Sequence, residues 1–257
     1  MLEKAEIKEL LELLHDRYNC VAFIEEDPIS VPHSFSKKED IEIAGFLAAT
    51  IAWGQRSQIV KNARYLMNLM DQAPAEFVCE ASEAELNRID CFYYRTFQTT
   101  DLRFFIRTLR LIYLQGGLEK IFNEAYQKQQ RLSDGLMALY QFFSEIPHED
   151  RSMKHLANIQ AGSSAKRLNM FLRWMIRHDK RGVDFGIWKT IPASALYLPL
   201  DVHSGRTARE LLLLERKQND WKAVLELTEK LRQFDANDPA RYDFALFGAG
   251  VDKSILH

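Results

Sequence analysis

Apolar residues recur at three- and four-residue spacing along most of this chain, the periodicity of helices with one buried face. Residues 2–17 place Ile7, Leu10, Leu11 and Leu14 on one stripe and predict an amphipathic helix. Pro28 and Pro32 break the pattern, so Asp27 to Ser36 reads as a loop. Ser36, with Glu39 three residues on, predicts a capping box for the next helix. From Ile41 to Trp53 nearly every residue is apolar, which predicts a helix buried on most sides. The polar break Gly54-Gln55-Arg56-Ser57 leads into a helix over 58–70, and Pro74 starts a short one. Residues 87–100, with Phe92, Tyr93, Tyr94 and Phe97, read as a loop. Helices are predicted over 101–114, 117–130 and 133–145, followed by an irregular polar stretch over 146–163. The helix 164–178 has its apolar stripe at Leu168, Phe171, Leu172 and Met175. A Gly- and Pro-containing connection over 179–200 precedes helices over 202–215 and 220–234. Asp238 caps a last helix, with Pro239 at the favoured first position. No stretch alternates with period two for long enough to demand a sheet, so the predicted class is all-α.

Composition agrees. The 257 residues are 47% apolar, enough for a sizeable core, and only 11 Gly and 7 Pro punctuate them, too few for a turn-dense β-sandwich. No run of 18 apolar residues is present, and the opening MLEKAEIKELLELL is charged, without the apolar stretch of a signal peptide. A cytoplasmic protein with no membrane partner is expected. Cys20, Cys79 and Cys91 have no metal-ligand spacing, so reduced thiols, no metal, no metal cluster and no cofactor are expected.

Charge changes the picture through its distribution. A net charge of −2 and a pI near 6.4 disfavour a nucleic-acid partner in bulk. Residues 151–190, however, carry nine Lys and Arg against two acids, Asp179 and Asp184. From Ile43 to Met70 there are three bases (Arg56, Lys61 and Arg64) and no acid. One basic face on an acidic molecule is the expectation.

Three segments carry candidate chemistry. The first runs Ile43-Ala-Gly-Phe-Leu-Ala-Ala-Thr-Ile-Ala-Trp-Gly-Gln-Arg-Ser57, a buried helix ending in a polar turn. The second is Ala161-Gly-Ser-Ser-Ala-Lys-Arg167, a Gly-led turn with Lys166 four residues after Gly162. The third is Leu198-Pro-Leu-Asp-Val-His-Ser-Gly-Arg206, with Asp201 at its centre. In this order they resemble the helix-hairpin-helix DNA glycosylase superfamily, and Asp238 to Gly250 is similar to that family's closing helix. The 166–206 stretch further resembles an uncharacterised bacterial family related to archaeal-type 8-oxoguanine glycosylases. Ser164 stands where the family hairpin has its second glycine.

The resemblance implies a two-lobed helical fold. Residues 35–195 would form a bundle carrying the hairpin, and 1–34 plus 196–257 would form the second lobe, leaving a cleft between them. It implies a monomeric DNA base-excision glycosylase with abasic-site lyase activity, acting on double-stranded DNA with a damaged base such as an oxidised purine. Lys166 and Asp201 would be the catalytic pair. Gln55 would probe the duplex, with Arg56, Gly162, Ser163, Ser164, Arg167 and Arg173 contacting DNA, and Trp188 and His203 lining or supporting the base pocket.

The chemistry explains these residue types. Breaking the bond at sugar C1′ builds positive charge that a shielded carboxylate stabilises. A neutral amine can attack C1′ and form a Schiff base. Arg167 beside Lys166 favours the neutral amine, whereas Asp201 at close range favours the ammonium. A Gly-rich turn opening a helix offers N–H groups to a phosphate, although Ser164 takes a positive φ less cheaply than glycine. Plain structural roles stay open: Lys166 as a solvated first-turn lysine, Asp201 as a helix cap, Gln55 as a turn residue, His203 as a local hydrogen-bonding group, and Arg173 with Arg177, Lys180 and Arg181 as a solvated face. Asp243 reads as a helix-surface residue. A non-catalytic nucleic-acid-binding protein on the same scaffold and a helical protein-interaction module are the rival functions.

Overall fold

The computed structural model of the chain describes residues 3–252, and these are almost wholly helical. The helices are α1 (Lys4–Tyr18), α2 (Ala22–Glu26), α3 (Lys38–Thr50), α4 (Arg56–Leu69), α5 (Pro74–Glu80) and α6 (Glu83–Arg88). After two short strands, β1 (Tyr93–Tyr94) and β2 (Phe97–Gln98), come α7 (Thr99–Leu114), α8 (Leu118–Gln129) and α9 (Leu132–Glu145). The chain closes with α10 (Lys166–Ile176), α11 (Val202–Glu210), α12 (Trp221–Arg232) and α13 (Asp243–Val251). No described helix is long and apolar enough to cross a membrane. Leu2, the first residue of the helix predicted from the stripe, lies outside the described residues.

Two compact units divide the chain: residues 24–157, and residues 1–23 together with 158–257. In the first, α3 is the centre. Every residue from Ile41 to Thr50 is buried, as the apolar run predicts. Phe46 stacks on Phe105 at 6.1 Å, and Phe143 meets Phe105 at 5.0 Å, so α3, α7 and α9 share one aromatic core. The capping box at Ser36 does not form. Lys37 is the N-cap, without a side-chain hydrogen bond, and N3 is Asp40, whose carboxylate accepts the Ala75 N–H at 2.8 Å. A tertiary hydrogen bond to the start of α5 has replaced a local one.

Residues 87–100 also differ from the expected loop. Tyr93 pairs with Gln98 and Tyr94 with Phe97 in a two-residue antiparallel hairpin, with Arg95 at φ +54° in its turn. Strands this short leave no alternation to read. Below them lies a buried polar knot. Asp101 has no exposed surface; it accepts the Gln98 N–H at 2.8 Å and the Ser152 hydroxyl at 2.6 Å, and pairs with Arg151 at 2.7 Å. Burial pushes its carboxyl up, but hydrogen bonds from His155, Ser152 and Gln98 outweigh this and hold it down at about 2. A lowered carboxylate contributes stability above its ordinary value and loses it as pH falls through the folded value. Asp101→Asn is therefore expected to cost about 2 kcal/mol at neutral pH and far less near pH ~2, read from urea unfolding across that range.

In the second unit, α13 packs on α1 and α11. Two glycines allow this packing: a Cβ at Gly248 would collide with the Tyr18 ring of α1, and a Cβ at Gly250 would lie 2.8 Å from the His203 carbonyl oxygen of α11. The division differs from the expected boundaries of 35–195 and 1–34 plus 196–257. The turn over 158–165 and α10 fall in the same unit as α1, α11, α12 and α13. Arg173 and Arg177 of α10 are ion-paired to Asp243 and Asp238, and the Trp221 N–H donates to the Gly162 carbonyl at 3.1 Å. Partners 59 to 70 residues downstream override local sequence grouping. α11 also ends at Glu210 rather than 215, where Leu212 takes a left-handed φ of +58°.

Candidate active site in the unit of residues 1–23 and 158–257

The turn before α10 is built from short-range hydrogen bonds. Asn158 Oδ1 accepts the N–H groups of Gln160 and Ala161, the Ser163 N–H returns to the Asn158 carbonyl at 3.1 Å, and Gly162 takes φ +89°. Space around Gly162 is open, so its φ and not crowding requires glycine. The second positive φ, +48°, falls on Ala165 and not on Ser164. Ser164 therefore carries no backbone strain. Its hydroxyl reaches the Leu200 carbonyl at 3.5 Å, one residue before Asp201.

Lys166 is the first residue of α10, and Asp201 is the N-cap of α11. The Lys166 Nζ lies 3.9 Å from Asp201 Oδ2, with the two side chains 26% and 21% exposed. Asp201 divides its oxygens. Oδ1 accepts the N–H groups of His203 at 2.8 Å and Ser204 at 3.0 Å, and Oδ2 faces the amine. Cap and amine partner are thus one side chain, and the two readings are compatible. Met170 Sδ, one turn on, approaches Nζ at 3.5 Å. Arg167 follows at the helix start, and burial lowers its guanidinium to about 10. His203 is exposed and its Nδ1 lies 3.2 Å from the Gly250 carbonyl oxygen, which ties α11 to α13.

Two expected roles are overturned. Arg173 is 3% exposed; its guanidinium bonds Asp184 at 3.2 Å and also Asp243, and lies 4.2 Å over the Phe244 ring. It is in no position to meet a phosphate. Trp188 is 1% exposed, edge-on to Phe171 at 5.5 Å, so it is core and not an open stacking platform. Every residue of α10 from Leu168 to Ile176 is buried, so past its first turn the helix is interior on all sides, and Arg177 follows as its C-cap. Part of the basic excess over 151–190 is consumed in this way: Arg151, Arg173, Arg177 and Arg181, four of the nine bases, sit in ion pairs with acids, mostly from distant segments.

Asp243 is the site residue that local reading misplaced. It is 7% exposed, at the first position of α13, and paired with Arg173. Burial raises its carboxyl to about 6; the charges of Arg173 and Lys166 pull the other way and that of Asp201 adds to the rise. A third carboxyl therefore feels the Lys166–Asp201 pair electrostatically. The Asp-Pro-Ala-Arg-Tyr-Asp spacing puts Asp243 one turn past Pro239, which is a surface pattern by itself; only the Arg173 partner marks it as interior.

A family model described as "Protein of unknown function (DUF2400)" matches residues 27–252. The chain belongs to the DUF2400 family. No curated protein and no solved structure matches it.

Gln55 and Arg56 of this DUF2400 chain lie in the unit of residues 24–157. Gln55 is the N-cap residue of α4, exposed, and its side chain makes no capping hydrogen bond. Gly54 before it takes φ +111°, and a Cβ there would lie 2.9 Å from the Tyr94 hydroxyl. The turn rests on a firm base: the Tyr94 hydroxyl donates to the Trp53 carbonyl at 2.7 Å, and the Trp53 ring stacks on His155 at 5.9 Å. Arg56, Lys61, Arg64 and Tyr65 line a groove of about 710 Å³ along α4, with Glu25 and Glu26 on its other wall.

Proposed function

We propose that this DUF2400 protein is a DNA base-excision glycosylase with abasic-site lyase activity, and that an oxidised purine is the first damaged base to test. The observation that supports it best is the 3.9 Å approach of an amine and a carboxylate that stand 35 residues apart in sequence, at the end of a Gly-led turn that opens a helix. The helix-hairpin-helix character of residues 158–176, the double-stranded DNA partner, the monomeric state and the cytoplasmic location are parts of the same proposal.

In this reading the neutral Lys166 amine attacks C1′ as the glycosidic bond breaks. The bonding pair leaves with the base, which takes up a proton, and the amine gives up its own. Asp201 Oδ2 faces the positive charge that grows on the sugar, in a site shielded enough for that charge to matter. Ring opening gives a Schiff base, loss of a C2′ proton expels the 3′ phosphate, and water releases the lysine. The target nucleotide must leave the stack first. Within the unit that holds Lys166, the N–H groups of the 162–165 turn are the candidate backbone contacts; the duplex-probing role of Gln55 and the phosphate contacts of Arg56 are separate proposals for the unit of residues 24–157.

The test is borohydride trapping on duplexes bearing an abasic site or an oxidised purine, alongside a salt titration of binding. A stable covalent complex is expected, with affinity falling as salt rises. Salt-dependent binding without trapping would leave the non-catalytic nucleic-acid-binding reading, and no salt-dependent binding would sink both.

A further inference from the structure

The Lys166–Asp201 approach joins two segments that nothing in the local sequence connects. Residues 219–221 touch both. On one side, the Asn219 Nδ2 donates to the Asp201 carbonyl oxygen at 2.8 Å. On the other, the Trp221 N–H donates to the Gly162 carbonyl at 3.1 Å, and Asp220 forms an antiparallel bridge with Ser163. The Asn219 amide orientation follows from its partners. Arg209 can only donate, and does so to Oδ1 at 2.7 Å, which leaves Nδ2 for the Asp201 carbonyl, which can only accept. Gly205 completes the seat: a Cβ there would lie 2.8 Å from Asn219 Oδ1, so only glycine lets the amide lie over α11. The segment itself is anchored. Asp220 caps α12 through the Ala223 N–H at 3.0 Å and is gripped by Arg216, and the Trp221 ring meets Tyr197 at 4.9 Å.

We infer that Asn219 is a positioning residue for the Lys166–Asp201 pair, the centre of a brace over 219–221 that holds the aspartate's helix cap against the lysine's turn. This role rests on the base-excision reading for its consequence in catalysis, but its geometry can be tested without it. Asn219 touches no reacting atom. It acts on the backbone of Asp201, so its loss displaces a carboxylate from an amine while leaving both chemical groups in place. A misplacement on the order of 1 Å is enough to slow a reaction that depends on orientation.

Asn219→Ala removes both contacts of the amide. Asn219→Asp keeps the Arg209 partner and removes only the donor to Asp201, and it serves if the alanine variant fails to fold. In the folded variant, amide hydrogen exchange is expected to quicken at His203 and Ser204 of the cap and at Trp221 beside the turn. In single-turnover borohydride trapping on an abasic duplex, the rate is expected to fall by about 10-fold or more, while duplex affinity stays within about 2-fold. A merely structural role would lower stability without this split between rate and affinity. Exchange unchanged at 203, 204 and 221, or an unchanged trapping rate, would overturn the brace. If the wild-type protein does not trap at all, the base-excision reading fails, and the exchange measurement alone decides the brace.

Discussion

Lys166→Gln is expected to abolish borohydride trapping on abasic and damaged duplexes, to below detection on a denaturing gel. Glutamine keeps much of the length and polarity of the side chain but has no nucleophilic amine, so the Schiff base that borohydride reduces cannot form. Binding should survive, because one cation among several backbone contacts is lost and a phosphate-contacting surface is shared among many groups. A useful companion is Asp201→Asn. Asparagine is as good an N-cap as aspartate, and Oδ1 already does the capping through His203 and Ser204. The cap should hold, the melting temperature should change little, and trapping should slow by roughly 10²–10³-fold as the charge facing the sugar disappears. Trapping by Lys166→Gln at the wild-type level would refute the assignment of the nucleophile. A large loss of stability with unchanged trapping in Asp201→Asn would reduce Asp201 to its cap.

The second large effect lies behind the pair. Arg177 is 2% exposed and bonds Asp179 at 2.8 Å, Asp184 at 3.0 Å and Asp238 at 2.8 Å, with its guanidinium 5.6 Å from the Phe244 ring. Arg177→Met fills much of the volume and takes their shared cation from three carboxylates, of which Asp184 keeps Arg173, Asp179 keeps the Asn19 amide and Asp238 is left without a cation among the described residues. Removing one partner of a buried ion pair costs about 3–5 kcal/mol, because the charge left behind is uncompensated. The loss has a pH signature. Carboxylates stranded in this way are raised in the folded state above their unfolded values, so their contribution is intact at low pH and is lost as pH rises through the folded values. Urea unfolding should therefore show the variant most impaired at about pH 8 and least at about pH 5. A deficit under about 1 kcal/mol at both would show that Arg177 is no keystone of this cluster.

These two sites divide according to how far apart in sequence their partners stand. Lys166 and Asp201 were legible because each sits in a local pattern: a Gly-led turn four residues before the lysine, and a Pro-Leu-Asp helix start around the aspartate. Arg173, Trp188 and Asp243 are not legible locally for the opposite reason. A helical wheel shows which residues share a face, but not that a helix carrying arginines is buried on every side, as α10 is from Leu168 to Ile176. Arg173 and Arg177 satisfy every polarity rule for a solvated surface until Asp184, Asp238 and Asp243 arrive from 7 to 70 residues away. Asn219 left no local signal either. Its role exists only because Gly205 is bare, Arg209 donates to it and the Asp201 carbonyl lies within reach.

The longer helices from α1 to α12, the buried character of α3 and the capping aspartate of α11 follow from the sequence by itself, because periodicity and capping are properties of a few neighbouring residues; the short α2 and α6 do not, and Asp238 opens a 3-10 turn while α13 begins only at Asp243. Tertiary structure alone decided that the Lys166 turn groups with α1, α11, α12 and α13, that the arginines of α10 are spent on internal carboxylates, and that an amine and a carboxylate 35 residues apart come to 3.9 Å. Burial and charge pairing depend on every segment that converges on a point, and no single segment carries that information.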